Sequence, residues 1–283
     1  MSRLAVSRAR PQEAPQETVN GAESGRVFEL WRYREVLFAF IVRHVKVRYK
    51  QAAIGIGWSV LQPLFASLLF ALFLGRFAHI GSEGVPYFVF ALAGMVLWTF
   101  FAASVSSSAE SLIRDAAMVR KVYFPRTILP LSAVGAALVD VPAALLVLFG
   151  SVLITGGRPS IYWLLVPLPL LLVMLAATSI GMIAAALNVY YRDVRHALPF
   201  VLQVLLFASP VVYSLDVVPG RWRGLYEAFN PMAAAIEDMR RLVLHGTQPD
   251  WLSNLVALGW LAILVVAGVT VFKALEKDFA DRL

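Results

Sequence analysis

The chain has 283 residues, of which 59% are hydrophobic and only 15% charged, with 25 Lys and Arg against 18 acids. Soluble domains run at about 45–50% apolar and about 25% charged, so this composition excludes a water-exposed globule and specifies an integral membrane protein of the all-α class. The lack of cysteine excludes disulfides, thiolate metal sites and a Cys nucleophile, and the net charge of +7 reads as loop bias around a membrane rather than as nucleic-acid binding.

In chain order, residues 1–27 are polar and carry no secretory apolar core, which predicts a disordered cytoplasmic tail. Residues 28–52 follow as an amphipathic helix. At about 100° per residue, Arg32, Glu35, Arg43, Lys46 and Lys50 fall in one sector, with Leu30, Tyr33, Leu37, Phe40 and Ile41 opposite. Such a helix lies in a membrane interface. Arg34 and Arg48 fall on the apolar side, where they either snorkel to headgroups or, for Arg48, meet an anionic group arriving from the cytoplasmic leaflet.

Six apolar runs fill 53–273: 54–75, 86–108, 127–157, 159–191, 197–215 and 251–272. Residues 274–283 form a second cytoplasmic tail. Between the fifth and sixth runs, 230–246 reads as a short helix, with Pro231 in its first turn and Gly246 as its stop. Its apolar positions are Met232, Ala235, Ile236, Met239, Leu242 and Val243, fitting a helix that dips back into the protein or one that caps the bundle. Six spans put both termini on one side. With the N-terminus inside, 19 Lys and Arg fall on cytoplasmic pieces and six on outer ones, the bias expected of that orientation.

Little chemistry is encoded. None of the 18 glycines precedes a lysine, so there is no phosphate loop for ATP, and no nucleophile elbow or zinc-protease motif is present. The four histidines are scattered singly. Asp140 is the lone ionisable residue deep in an apolar run, which suggests either a structural hydrogen bond beside Pro142 or an ion relay. Tyr87, Phe88, Trp98, Phe101, Phe207 and Tyr213 could line a channel or belong to interfacial belts.

Five segments carry a family resemblance. LWRYREVLFAFIVRHVKVRYKQAAIGIGWSVLQP (30–63), VRKVYFPRTILPLSAV (119–134), NVYYRDVRHALPFVLQVLLFASPVVYSLDVVP (188–219), NPMAAAIEDMRRLVLHG (230–246) and GVTVFKALEKDFADRL (268–283) occur in this order. Together they resemble the permease subunits of type-2 ABC exporters of polysaccharides and polyol phosphates, which carry O-antigen, capsule or teichoic acid chains.

That resemblance implies a homodimer of six-span subunits in a bacterial inner membrane, each bound by a cytoplasmic ATPase that holds the ATP and Mg. No cofactor is expected in this chain. It further implies that the head of a lipid-linked polysaccharide enters near Arg48, Lys50, Ile54 and Gly55, where Ile54 replaces the family's usual Leu and Ala52 its common Ser. Arg32, Arg43, Lys46, Arg114, Asp115, Arg120 and Lys121 fall in segments that couple to the ATPase. Pro210, Pro219, Asn230 and Pro231 fall in or beside the outer gate. Membrane lipids complete the partners. Rival readings are an exporter of the same architecture for a lipid, drug or haem, and a membrane-embedded glycosyl- or acyltransferase.

Overall fold

A computed structural model describes residues 32–50, 54–122 and 124–282. The sequence expectations for 1–27, for Leu30 and for Ala52 lie outside these residues. Among the described residues the architecture is all-helical, without strands.

Among the described residues twelve α-helices follow one another in chain order. The first, α1, covers Arg34–Tyr49, and α2 covers Gly57–Phe70, continuing as a π-helix over Ala71–Phe77. Next are α3 (Tyr87–Arg114), α4 (Ala116–Lys121), α5 (Ile128–Leu138) and α6 (Val141–Ile154). A 3-10 turn, Ile161–Leu165, leads into α7 (Pro167–Tyr190), followed by α8 (Val194–Ala208). The last are α9 (Gly220–Phe229), α10 (Pro231–Arg240), α11 (Trp251–Glu276) and α12 (Phe279–Arg282).

Among the described residues five helical stretches are long and apolar enough to cross a membrane: Gly57–Phe77, Tyr87–Arg114, Ile128–Ile154, Ile161–Tyr190 and Trp251–Glu276. The expected run at 197–215 is a shorter helix, α8, of 15 residues. It rises about 22 Å, against a hydrocarbon core of about 30 Å. It stops at Ser209-Pro210 because proline has no amide to donate and disfavours helical geometry at the residue before it. The run at 127–157 is likewise divided, with α5 ending at Leu138 and Asp140 standing as the N-cap of α6 ahead of Pro142.

Helix α3 is the axis of the bundle. Its most apolar window is 78% buried, against 11% for the α2 span. It extends past Ser108 to Arg114, and its serine stripe, Ser104, Ser108 and Ser111, is fully buried. Ser108 donates to the Pro130 carbonyl at 3.1 Å and Ser111 to the Ser108 carbonyl at 2.7 Å. These small side chains let α7 pack closely: a Cβ on Gly181 would stand 2.8 Å from that of Ser108. Helix α11 closes on α7 in the same way, with Gly268 against the Ser179 carbonyl. Around this core lie α5, α6 and α10, while α2 and α8 present exposed apolar faces that include Phe65, Leu69, Phe73, Phe200 and Val204.

Candidate functional site

Helix α1 carries the site at one end of the bundle. Its predicted polar face is exposed at Arg32, Glu35, Arg43, Lys46 and Lys50, and Tyr33, Leu37, Phe40 and Ile41 turn toward the protein. The apolar stripe includes two polar members, because Phe40, His44 and Arg48 repeat every four residues and share one face. Phe40 packs on the Phe124 ring at 5.5 Å, and Ile41 fills the space above Gly135 on α5.

His44 and Arg48 reach acids. Asp115, at the junction of α3 and α4, is buried and pairs with Arg43 at 2.9 Å and with His44 at 3.1 Å, with Arg114 at 3.9 Å. Burial would raise its carboxyl pKa, but the His44 hydrogen bond and the charges of Arg43 and Arg114 outweigh it and hold the group below its usual range. His44 is completed from behind by Ser132, at 3.3 Å.

Two turns further along α3, Arg48 donates to Asp140 at 2.8 Å and to Ser107 at 3.2 Å. The Tyr49 hydroxyl donates to the other Asp140 oxygen. The intramembrane acid thus has a partner on α1, and the anionic group that Arg48 meets is a side chain of the same protein. Beside this pair lies a cavity of about 340 Å3 bounded by α1, α2, α3, α5 and α6. Gly55, in the turn before α2, lines it with φ at +57°, a left-handed conformation that favours glycine. Of the residues assigned to the substrate head, Arg48 and Gly55 therefore share one cavity. Lys50 lies on the adjoining open face of α1 with Lys46 and Tyr49, and Ile54 is half exposed.

The coupling set divides. Arg43, Arg114 and Asp115 form one clasp, whereas Arg32, Lys46, Arg120 and Lys121 stand exposed. Beneath them, Val119 anchors α4 in the core.

At the opposite end of α3, the segment after α8 is held from several sides. Pro210, Val211 and Val212 are buried, with Val211 against Gly94, where a Cβ would lie 2.5 Å from the Val211 carbonyl. Tyr87 donates to the Val212 carbonyl. Arg240, fully buried, donates to the carbonyls of Val211 at 2.9 Å and Tyr213 at 3.2 Å and covers the Phe90 ring at 3.6 Å. The C-terminal carbonyls of α8 are capped by Tyr213 on Phe207 (3.1 Å) and by Tyr226 and Asn230 on Ala208 (2.6 and 3.1 Å). Asn230 also caps α10 by accepting from the Met232 amide, with Pro231 in its first turn, and Pro219 precedes α9.

Helix α10 is buried along its predicted apolar set, from Met232 to Val243, so it enters the protein rather than capping its surface. Burial raises the carboxyl pKa of Glu237 and takes that of Asp238 to about 6.

The six aromatics considered for a channel do not form one wall. Trp98 and Phe101 pack on each other in the protomer core, with rings 5.4 Å apart, only 6% and 2% exposed. Tyr87, Phe88 and Tyr213 are half-buried, and Phe207 is exposed. The enrichment of rings in α3 serves packing, because that helix is enclosed by its neighbours.

His44, Tyr49 and Arg240 are site residues that no motif marks in the sequence. For His44 the signal was its four-residue spacing from Phe40. For Arg240 it was the stripe Ile236, Met239, Arg240, Val243, which places the cation on the buried face.

These features define a polytopic helical membrane protein with polar clasps at both ends of a central helix and no phosphate loop in its sequence. The profile of the ABC-2 type transporter family matches residues 35–244, and the chain belongs to that family. It is 27% identical over 252 residues to an O-antigen export system permease protein, RfbA, of Klebsiella pneumoniae, covering 88% of this chain and 95% of that protein. It is also 27% identical over 259 residues to the RfbA permease of Myxococcus xanthus, covering 91% and 98%. A polysialic acid transport protein, KpsM, of Escherichia coli is 24% identical over 250 residues, covering 87% and 93%. The chain is an integral membrane component of a transporter.

Proposed function

We propose that this chain is the permease subunit of an ATP-driven exporter that moves a lipid-linked polysaccharide, O-antigen first among candidates, from the cytoplasm across the bacterial inner membrane. Two copies form the conduit, and an ATPase binds each from the cytoplasm. Near-full-length similarity to O-antigen export permeases carries this reading.

In it, α8 is the fifth of six spans, completed in thickness by the buried segment that follows it, and both termini face the cytoplasm. The charge bias of the connecting pieces supports this orientation. The Asp115 clasp ties α4 to α1, so ATPase closure against the exposed Arg120, Lys121, Arg32 and Lys46 moves both helices as one body. The region of Arg48, Lys50, Ile54 and Gly55 receives the substrate head, while α9 and α10 gate the outer end. ATP and Mg belong to the partner. The similarity to KpsM favours one alternative, export of a capsule polymer.

Deleting the gene in its own bacterium tests the proposal. Surface O-antigen should disappear, lipid-linked glycan should accumulate in the inner membrane, and a plasmid copy should reverse both. Unchanged surface glycans would overturn the exporter reading, and loss of capsule alone would select the alternative.

A further inference from the structure

The cavity beside Asp140 is lined by polar side chains together with rings and small apolar groups. Its volume, about 340 Å3, lies at the low end of small-molecule sites and suits one ring rather than a chain. Arg48 brings no free positive charge to it, since Asp140 engages one terminal nitrogen at 2.8 Å and Ser107 the other at 3.2 Å. An anion placed there would have to displace a carboxylate or sit beside one, which repulsion and desolvation oppose.

Neutral hydroxyl groups meet no such opposition. Asp140 accepts from Arg48 and Tyr49, while a carboxylate offers about four acceptor positions. Gln62 and Ser106 line the same space, and their side chains make no hydrogen bond among the described residues. Trp58 and Phe100 supply flat apolar faces. Trp58 is 56% exposed and Gln62 is also exposed, so both stand at the mouth.

Unpaired cations share the open face of α1 with Tyr49. Lys46 and Lys50 are exposed and have no ion pair among the described residues. Tyr49 lines the cavity as well. A cationic surface and a neutral, hydroxyl-accepting cavity thus meet at one side chain.

We propose that the cavity is a sugar-ring site, which takes the neutral hydroxylated unit bonded to the diphosphate of a lipid-linked glycan, while Lys46 and Lys50 take the diphosphate. This rests on the exporter reading and refines it, moving anion recognition from Arg48 to the lysines and taking Lys46 out of the set that faces the ATPase. A site built of hydrogen-bonding groups also discriminates, because an analogue lacking the hydroxyls leaves them unpaired.

The test titrates full-length protein in nanodiscs with two probes of equal tail, hexyl β-glucoside and hexyl phosphate, following tryptophan fluorescence. Glucoside should give a saturable change that is lost in Trp58→Phe. Its affinity should fall about tenfold in Gln62→Leu, equivalent to about one hydrogen bond, and stay unchanged in Lys46→Ala with Lys50→Ala. Hexyl phosphate should depend on the lysines and ignore Gln62→Leu. Ser106→Ala repeats the measurement should Gln62→Leu elute as aggregate.

The proposal is overturned if glucoside gives no saturable change in the wild-type protein. It is equally overturned if hexyl phosphate expels glucoside and itself weakens in Gln62→Leu. Failure of the exporter reading is distinguished by the deletion strain, whose surface glycans are scored without any binding measurement.

Discussion

Arg48 and Asp140 stand 92 positions apart, and each is a poor fit to its own segment: a cation on an apolar stripe and a carboxylate in an apolar run. Together they neutralise one another, with side chains 28% and 17% exposed. Removing one partner is worse than removing both, since the survivor keeps a desolvated charge. Asp140→Asn should therefore cost about 1–3 kcal/mol, and Arg48→Met combined with Asp140→Leu should recover most of it. Melting temperatures in one detergent compare the two variants, and a double variant no more stable than Asp140→Asn would deny the coupling.

Asp238 makes a pH prediction. Its pKa of about 6 in the folded protein lies above the ordinary 3.8, so between these values the folded chain holds a proton that the unfolded chain has lost. Its contribution to stability is full below about pH 4 and falls as pH rises to about 6. Asp115 has the opposite sign: its lowered pKa stabilises above the ordinary carboxyl range, and that contribution is lost as pH falls through the lowered value. Asp238→Asn should flatten the pH dependence of melting between about 4 and 6, whereas Asp115→Asn should lower the melting temperature at pH 7.

Among the elements, local pattern and packing demand coincide in α10. Asn230, Pro231 and Gly246 punctuate it, and its apolar stripe is its buried face. The π-helical turn Arg241–His245 extends it, ending at Gly246 with φ at +61°. Helix α8 shows the converse. Its apolar composition continued past Ala208, but proline stopped the helix, and the next residues took their hydrogen bonds from Tyr87, Arg240 and Asn230. Gly94 permits that arrangement. Gly94→Ala should cost about 1–3 kcal/mol through overpacking against backbone. Gly259→Ala, in open space on α11, should be neutral or gain up to about 1 kcal/mol of helix propensity. Thermal unfolding of both variants checks the contrast.

At the scale of the molecule, burial is lopsided: α3 and α7 are enclosed, while α2 and α8 expose apolar faces. Lipid or a second copy can cover such faces. The dimer proposal predicts that Phe200→Cys, in a chain with no cysteine of its own, gives a product of twice the mass with a short bismaleimide in membranes. Ile154→Cys, exposed at the end of α6, should give none under the same treatment. Equal yields from both would signal random collision and remove α8 from the interface.

Sequence by itself determined the membrane class and four of the long spans within a few residues. These follow from composition and from the periods of a helix, which are local properties. It also held the Ser209-Pro210 stop, although hydropathy averaged over that run concealed it. The tertiary structure alone decided which isolated polar residues meet. Asp140 with Arg48, Asp115 with His44 and Arg240 with the carbonyls after α8 are joined across 92, 71 and 29 positions. It also decided that Trp98 and Phe101 are core, because a helix that is apolar all round does not say which of its neighbours will enclose it. Periodicity assigns a residue to a face, and only packing says what that face touches.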